Sequence, residues 1–424
     1  MSSNETFVSR RKLLTVLGGS VVSLSGCQTV EEEIDRRFGP TEYISDAPIE
    51  GDSGPWSSTR GGPDRRSYID RNAGPDESGD IKRISPTSRE PSPLQPVICN
   101  GQVLVQLLDI PAQLIDNTIE AFSGTLSTTT GGIQLWHQTG TGPSMSVIGD
   151  TAVVPHDSGI TAVDATDGSV CWRFEHGGYL TAAGTTVCVE NHDRLFGLDA
   201  RTGSVQWKKE NFSDQGSFKY TINAFAAVDG LLCGTRKIHY DAPSLVAFDP
   251  KTGSVEWYGK VSPTPWPPVI GPNRVYVLTA EDVLSAFSWD GELEWSTEVN
   301  LAAPPAVGDS GLYTITTDRT SIVGLNPSTG DEKWKVEVDS GIPLPPAVTP
   351  QSLFTITGDE ESPVTVIALN PDSGDKQWEH SYPGTEGFLA GSLDMPPALT
   401  ENGLVFTTGD SGVRDNTRGT YLLA

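Results

Sequence analysis

Apolar residues in this chain come in short runs, most of them a few residues long, cut by Gly, Asp, Asn, Pro and Ser. No long stretch keeps the three-to-four-residue spacing of a helix face, so the pattern predicts strands joined by tight turns. The stretch PPAVGDSGLYTITTDRTSIVGL (304–325) shows two such runs in a row. A third kind of segment recurs between them: AVDATDGSVCW (162–172), GLDARTGSVQW (197–207), AFDPKTGSVEW (247–257), AFSWDGELEW (286–295), GLNPSTGDEKW (324–334) and ALNPDSGDKQW (368–378). AFSGTLSTTTGGIQLW (121–136) has the same ends around a longer turn. Each copy reads as a hairpin. A small residue sits on the first strand where neighbouring sheets approach, Asp or Asn binds the turn backbone, and Gly supplies positive φ. The second strand ends in a tryptophan large enough to cover the seam to the next unit.

These tryptophans, Trp136, Trp172, Trp207, Trp257, Trp295, Trp334 and Trp378, are 36, 35, 50, 38, 39 and 44 residues apart. Four short antiparallel strands per roughly 40 residues is the pattern of a propeller blade. The C-terminal stretch 403–424 supplies middle strands of one more blade but ends before any tryptophan. Residues 79–105 align with 291–314, putting Arg83 where Trp295 sits. The expected fold is therefore an all-β, eight-bladed propeller, its last blade closed by an N-terminal strand at about 79–87, which removes open sheet edges.

Composition agrees with an all-β chain: 36% hydrophobic residues, 45 Gly and 31 Pro in 424 residues. The 29 Lys and Arg against 55 Asp and Glu give a net charge of −26. That charge argues against nucleic acid as a partner and suits a halophilic setting, where salt screens self-repulsion. Ten Trp, ten Tyr and thirteen Phe set the chain apart from a disordered acidic one.

The N-terminus reads as an address. Arg10 and Arg11 precede an uncharged stretch, Leu13 to Gly26, and then Cys27. Fourteen residues span about 21 Å as a helix, short of a hydrocarbon core of about 30 Å. The twin arginines resemble a twin-arginine export signal, and Leu24-Ser25-Gly26-Cys27 resembles a lipobox, with Cys27 the lipidation site. The expected organisation is a signal over 1–26, a flexible acidic tether over 27–54 and the propeller over 55–424. The expected location is the outer, extracellular face of the cytoplasmic cell membrane, with the lipid as the sole membrane contact.

The repeat resembles that of the pyrroloquinoline quinone (PQQ)-type β-propeller superfamily, as does Trp56-Ser57-Ser58-Thr59-Arg60-Gly61-Gly62, which is similar to an opening found before its first blade. The resemblance implies the fold. For function it implies either a quinoprotein dehydrogenase acting on an alcohol or sugar, with PQQ and calcium, or a cofactor-free BamB-like lipoprotein that acts as a protein-binding scaffold. No two cysteines among 27, 99, 171, 188 and 233 are adjacent, unlike the dehydrogenase pattern, and no Cys-x-x-Cys-His haem motif occurs. The reading favoured is the scaffold: a monomer, not an enzyme, with no cofactor, bound to another exported or membrane protein. The quinoprotein is the alternative.

No catalytic cluster stands out among the six scattered histidines. The loops between second and third strands each carry an acid: Asp109, Asp157, Asp193, Asp241, Asp282, Asp318, Asp359 and Asp410. They form either an acidic rim for cations or a basic partner, or a set of turns that use Asp for backbone reasons.

Overall fold

In a computed structural model, the described residues run from Arg60 to Leu423, with the longest gaps at 109–117, 124–133, 211–221, 387–395 and 409–418. The signal, Arg10, Arg11, Cys27, the tether and Trp56 lie outside them. All of the described regular structure is antiparallel sheet, arranged as a propeller.

Seven blades, not eight, are built from consecutive strands. They span residues 90–139, 146–174, 179–210, 222–259, 269–298, 306–337 and 342–382, and are numbered one to seven here. A further sheet is composite. Ala398–Leu399, Leu404–Thr408 and Gly419–Leu423 take their outer strand from Ile81–Arg83. That outer strand is shorter than the expected 79–87 among the described residues, and Arg83 faces Tyr421.

Burial explains the strand patterns. The second and third strands of blades five to seven are buried almost throughout, because neighbouring blades cover both faces. Fourth strands alternate instead: Val205–Glu210, Leu293–Glu298 and Glu332–Glu337 expose four residues and half-bury two. They form the outer edges of the blades.

The tryptophan rows rest on register. Each repeat tryptophan pairs across the strand with the small residue of its own hairpin, as in Gly197 with Trp207, Ala286 with Trp295 and Gly324 with Trp334. The small residue thus serves a different end from the expected close approach of neighbouring sheets. A Cβ on Gly197 or Gly324 would fall inside the tryptophan ring of the same blade. With the position kept small, the indole crosses the third strand toward an aromatic on the second. Tyr276 and Trp295 are 6.1 Å apart by ring centroid, Tyr313 and Trp334 5.9 Å, and Phe354 and Trp378 6.0 Å. In the composite sheet Tyr421 takes the small residue's place and stacks on Phe406 at 5.7 Å.

Between blades the same indoles act again. The Nε1–H of Trp172 donates to the Ala200 carbonyl (2.8 Å), that of Trp207 to Pro250 (2.8 Å), Trp257 to Trp289 (2.7 Å), Trp295 to Pro327 (3.2 Å) and Trp334 to Pro371 (3.0 Å). All five acceptors occupy one position, the residue after the turn Asp or Asn of the next blade (Ser288 in blade five). The turn glycine of that blade lies against the ring. Gly203, at φ 68°, would place a Cβ 2.5 Å from Trp172. Each seam thus couples an apolar face to one satisfied indole donor.

Candidate functional site

The turn residues are occupied by their own backbone. Asp199 Oδ1 accepts from the amides of Arg201 and Thr202, and Asn370 Oδ1 from those of Asp372 and Ser373. The rim acids behave in the same way. Asp318 Oδ1 accepts from Thr316 Oγ1 (2.5 Å), Thr320 Oγ1 (3.0 Å) and the Thr320 amide (3.2 Å), which hold its carboxyl below the usual range. Asp359 accepts from the amides of Glu361 (2.9 Å) and Ser362 (2.7 Å). Partial burial pushes its carboxyl up, but these bonds outweigh that and leave it lowered. Asp282 adopts φ 57°, and its carbonyl takes the Val299 amide. Asp109, Asp157, Asp193, Asp241 and Asp410 lie outside the described residues. Among those described, no three His, Cys, Asp or Glu side chains converge as a metal site. The calcium of the dehydrogenase alternative thus finds no carboxylate cluster among the described residues.

Cys188 and Cys233 are fully buried free thiols whose pKa burial pushes well up, and both act as small apolar residues. Cys171 Sγ lies 3.9 Å from the Ser169 carbonyl as a weak donor.

The unexpected feature is a strap, described at residues 60, 64–71 and 73–74, which lies along the innermost strands. The Asp64 carbonyl takes the amide of Ile270 in blade five, and the Arg66 carbonyl that of Val307 in blade six. The Ser67 carbonyl takes the amide of Val348 in blade seven, and the Ile69 amide returns to the Val348 carbonyl. Finally the Gly74 amide donates to Thr400 in the composite sheet (3.0 Å). One segment therefore stitches four successive sheets at the propeller axis.

Three arginines anchor it. Arg60, 6% exposed, donates through Nη2 to the Pro304 carbonyl (2.6 Å) and through Nε to Ser67 Oγ (3.3 Å). Arg65 Nε donates to the Phe225 carbonyl in blade four (2.5 Å). Arg66 Nε donates to Val307 (3.1 Å) while its guanidinium covers Tyr68 at 4.6 Å, and its Nη2 is 3.7 Å from Asp309. Tyr68 donates to the other Asp309 oxygen (2.5 Å). Burial, then the charge of Arg65, lowers Arg60 to about 9, and burial lowers Arg65 to about 10. Burial raises Asp64 to about 6, against the charge and amide of Arg66.

With this geometry in place, the comparisons bear on family. A family model described as outer membrane protein assembly factor BamB matches residues 116–266 and 280–414, well over half of the chain. The chain belongs to that family. BamB from Moraxella catarrhalis superposes with a TM-score of 0.53 at 16% identity, covering 81% of this chain and 99% of that one. Quinohemoprotein alcohol dehydrogenase from Comamonas testosteroni gives 0.60 at 11% identity, over 87% and 80% of the two chains. The computationally designed Ika8 protein gives 0.57 at 12%, over 82% and 99%. At such identities these likenesses speak for the fold alone. No curated protein matches the sequence.

Proposed function

We propose that this protein is an exported scaffold, lipid-anchored through Cys27 on the outer face of the cytoplasmic membrane after twin-arginine export. In this reading the composite sheet acts as an eighth blade and closes the ring, and loop faces bind another exported or membrane protein. The observation that carries it is the match to the assembly-factor family over 116–266 and 280–414. The rim adds support, since the Asp318 and Asp359 carboxylates are engaged in shaping their own loops, as loops held for recognition require. A net charge of −26 favours a partner with a basic face.

The test pairs two measurements on the full chain. Titration with pyrroloquinoline quinone and calcium in molar salt is expected to give no saturable heat. Photo-crosslinkers on the loops at 318 and 359 are expected to trap one exported protein in cells, and Cys27→Ala is expected to release the chain from membranes. One quinone bound per chain, with dye reduction by an alcohol or sugar, would overturn the scaffold in favour of the quinoprotein.

A further inference from the structure

Among the described residues six large apolar side chains are exposed, and five of them, Val205, Val255, Tyr258, Trp289 and Leu293, lie on the outer strands or outer turn of blades three, four and five. Val205, Val255 and Leu293 occupy one register position. Each opens its fourth strand, opposite the residue that follows the small one of the hairpin. Blades six and seven place Glu332 and Lys376 there. The propeller therefore does not require an apolar residue at the position. Single exposed apolar side chains are ordinary, but a row of them across neighbouring blades marks a docking surface.

Trp289 completes the row between blades four and five. It holds the place whose carbonyl accepts the indole of the preceding blade, a place filled elsewhere by Ala200, Pro250, Pro327 and Pro371. The seam needs that carbonyl and not the ring. The ring is 39% exposed and is pinned by Nε1–H donation to the Gly271 carbonyl (3.2 Å). The Trp289 carbonyl meets Trp257, two residues beyond Val255, and Leu293 closes the hairpin that Trp289 turns, so the three side chains line one stretch of wall. A pinned, partly exposed tryptophan loses little freedom on binding, as an interface anchor requires.

Acids flank the row. Glu256, Asp290 and Glu292 are exposed and make no ion pair among the described residues. Arg274 and Lys251 are taken by Glu294 and Asp229, and Lys260 lies past the far end of the blade-four outer strand. A second copy would bring acids against acids, and an anionic membrane would meet them too. Each outer strand is the last of its sheet, so an extended segment can also pair with its backbone.

We infer that the outer wall of blades four and five docks a partner protein through an extended segment whose apolar residues are set among Lys and Arg. Val255, Trp289 and Leu293 are the anchors, and Glu256, Asp290 and Glu292 receive the charges, which adds specificity to apolar burial. The wall is separate from the loops at 318 and 359, and it stands whether or not the scaffold reading does.

The test uses the full chain. A labelled peptide alternating Leu with Lys is titrated by fluorescence anisotropy, beside a twin carrying Glu for Lys. Saturable binding of one peptide per chain is expected for the first and none for the twin. Trp289→Ala is expected to weaken binding at least about tenfold and Leu293→Ser several-fold. Tyr179→Ser, at an exposed apolar residue on the inner strand of blade three, leaves it unchanged. If Trp289→Ala fails to fold, Leu293→Ser, which is 56% exposed in the wild type, carries the test. Equal affinity in the wild type and these variants, or equal binding of the twin, would overturn the assignment. So would a dimer in sedimentation that Leu293→Ser disperses, which gives the wall to a second copy. Adsorption to phosphatidylglycerol vesicles that Trp289→Ala abolishes would give it to a membrane instead. Quinone binding would overturn the scaffold reading and leave every one of these results as expected.

Discussion

The seams between blades and the strap at the axis answer one need, holding separate sheets together, by opposite means. At a seam, a tryptophan, a small residue and a turn glycine dock one hairpin on the next through apolar contact and one indole hydrogen bond. The solution is local and recurs from blade to blade. The strap crosses four sheets once, through backbone hydrogen bonds, buried arginines and left-handed backbone. The seams build a ring by repetition, whereas the strap breaks its symmetry and gives one point on the axis a character of its own.

The largest effect is expected at a seam. Trp172 is 2% exposed, and its indole binds Ala200 of the next blade. Trp172→Ala removes the ring from both blades and leaves a cavity, a loss of about 3–5 kcal/mol by chemical denaturation. A loss under about 1 kcal/mol would mean that the seam is not a main source of cohesion.

A smaller effect separates docking from backbone. Gly203→Ala meets both a positive φ and the Trp172 ring, whereas Gly230→Ala, at φ 90°, meets nothing within 4 Å. About 1 kcal/mol is expected for Gly230→Ala from conformation alone, and about 2–3 kcal/mol for Gly203→Ala, the excess being the seam. Equal losses would assign the glycine to turn geometry only.

That contrast also explains what was legible in the sequence. A hairpin repeated down the chain exposes its logic through what stays the same, so the tryptophans and turn residues could be read directly. The small residue was legible as a position, but its partner was not, because spacing alone does not tell a tryptophan of the same blade from the face of the next. The strap has no copy to compare with and no periodicity, and Arg60, Arg65 and Ser67 adopt a backbone that sequence rules reserve for Gly or Asn. One signal was present: Arg60, Arg65 and Arg66 cluster within seven residues of a chain with nearly twice as many acids as bases. The composite sheet could be foreseen by aligning 79–105 with a later repeat. Its tyrosine in place of a small residue follows from packing on Phe406, which no repeat consensus encodes.

The strap sharpens the comparison through pH. The Asp64 carboxyl, raised to about 6 in the folded chain, favours folding while protonated. Its contribution is complete below about pH 4 and lost as pH rises through about 6. Asp64→Asn is therefore expected to match the wild type at pH 4 and exceed it by about 1–2 kcal/mol at pH 7, after allowance for partial solvent access. Denaturation midpoints between pH 4 and 7 check it, and parallel curves for the two proteins would show that Asp64 is not desolvated. The contacts of Trp257 with Phe287, Gly291 and the Trp289 carbonyl involve no titratable group, so Trp257→Phe is expected to shift the whole profile without changing its shape.

The smallest effect concerns the rim, where the carboxyls shift in the opposite direction to Asp64. Asp318 and Asp359 are lowered, so their contribution is present above about pH 4 and fades as pH falls through their folded values. Both are exposed enough that only a slight change in the acid limb is expected for Asp318→Asn, and none at pH 7 beyond measurement error. Calcium decides between the two meanings of the rim. If the carboxylates serve their own turns, calcium at fixed ionic strength moves the thermal midpoint of the wild type and of Asp318→Asn equally. A shift confined to the wild type would make the rim a cation site, and the charge of the loops would then be held for a ligand rather than for their own turns.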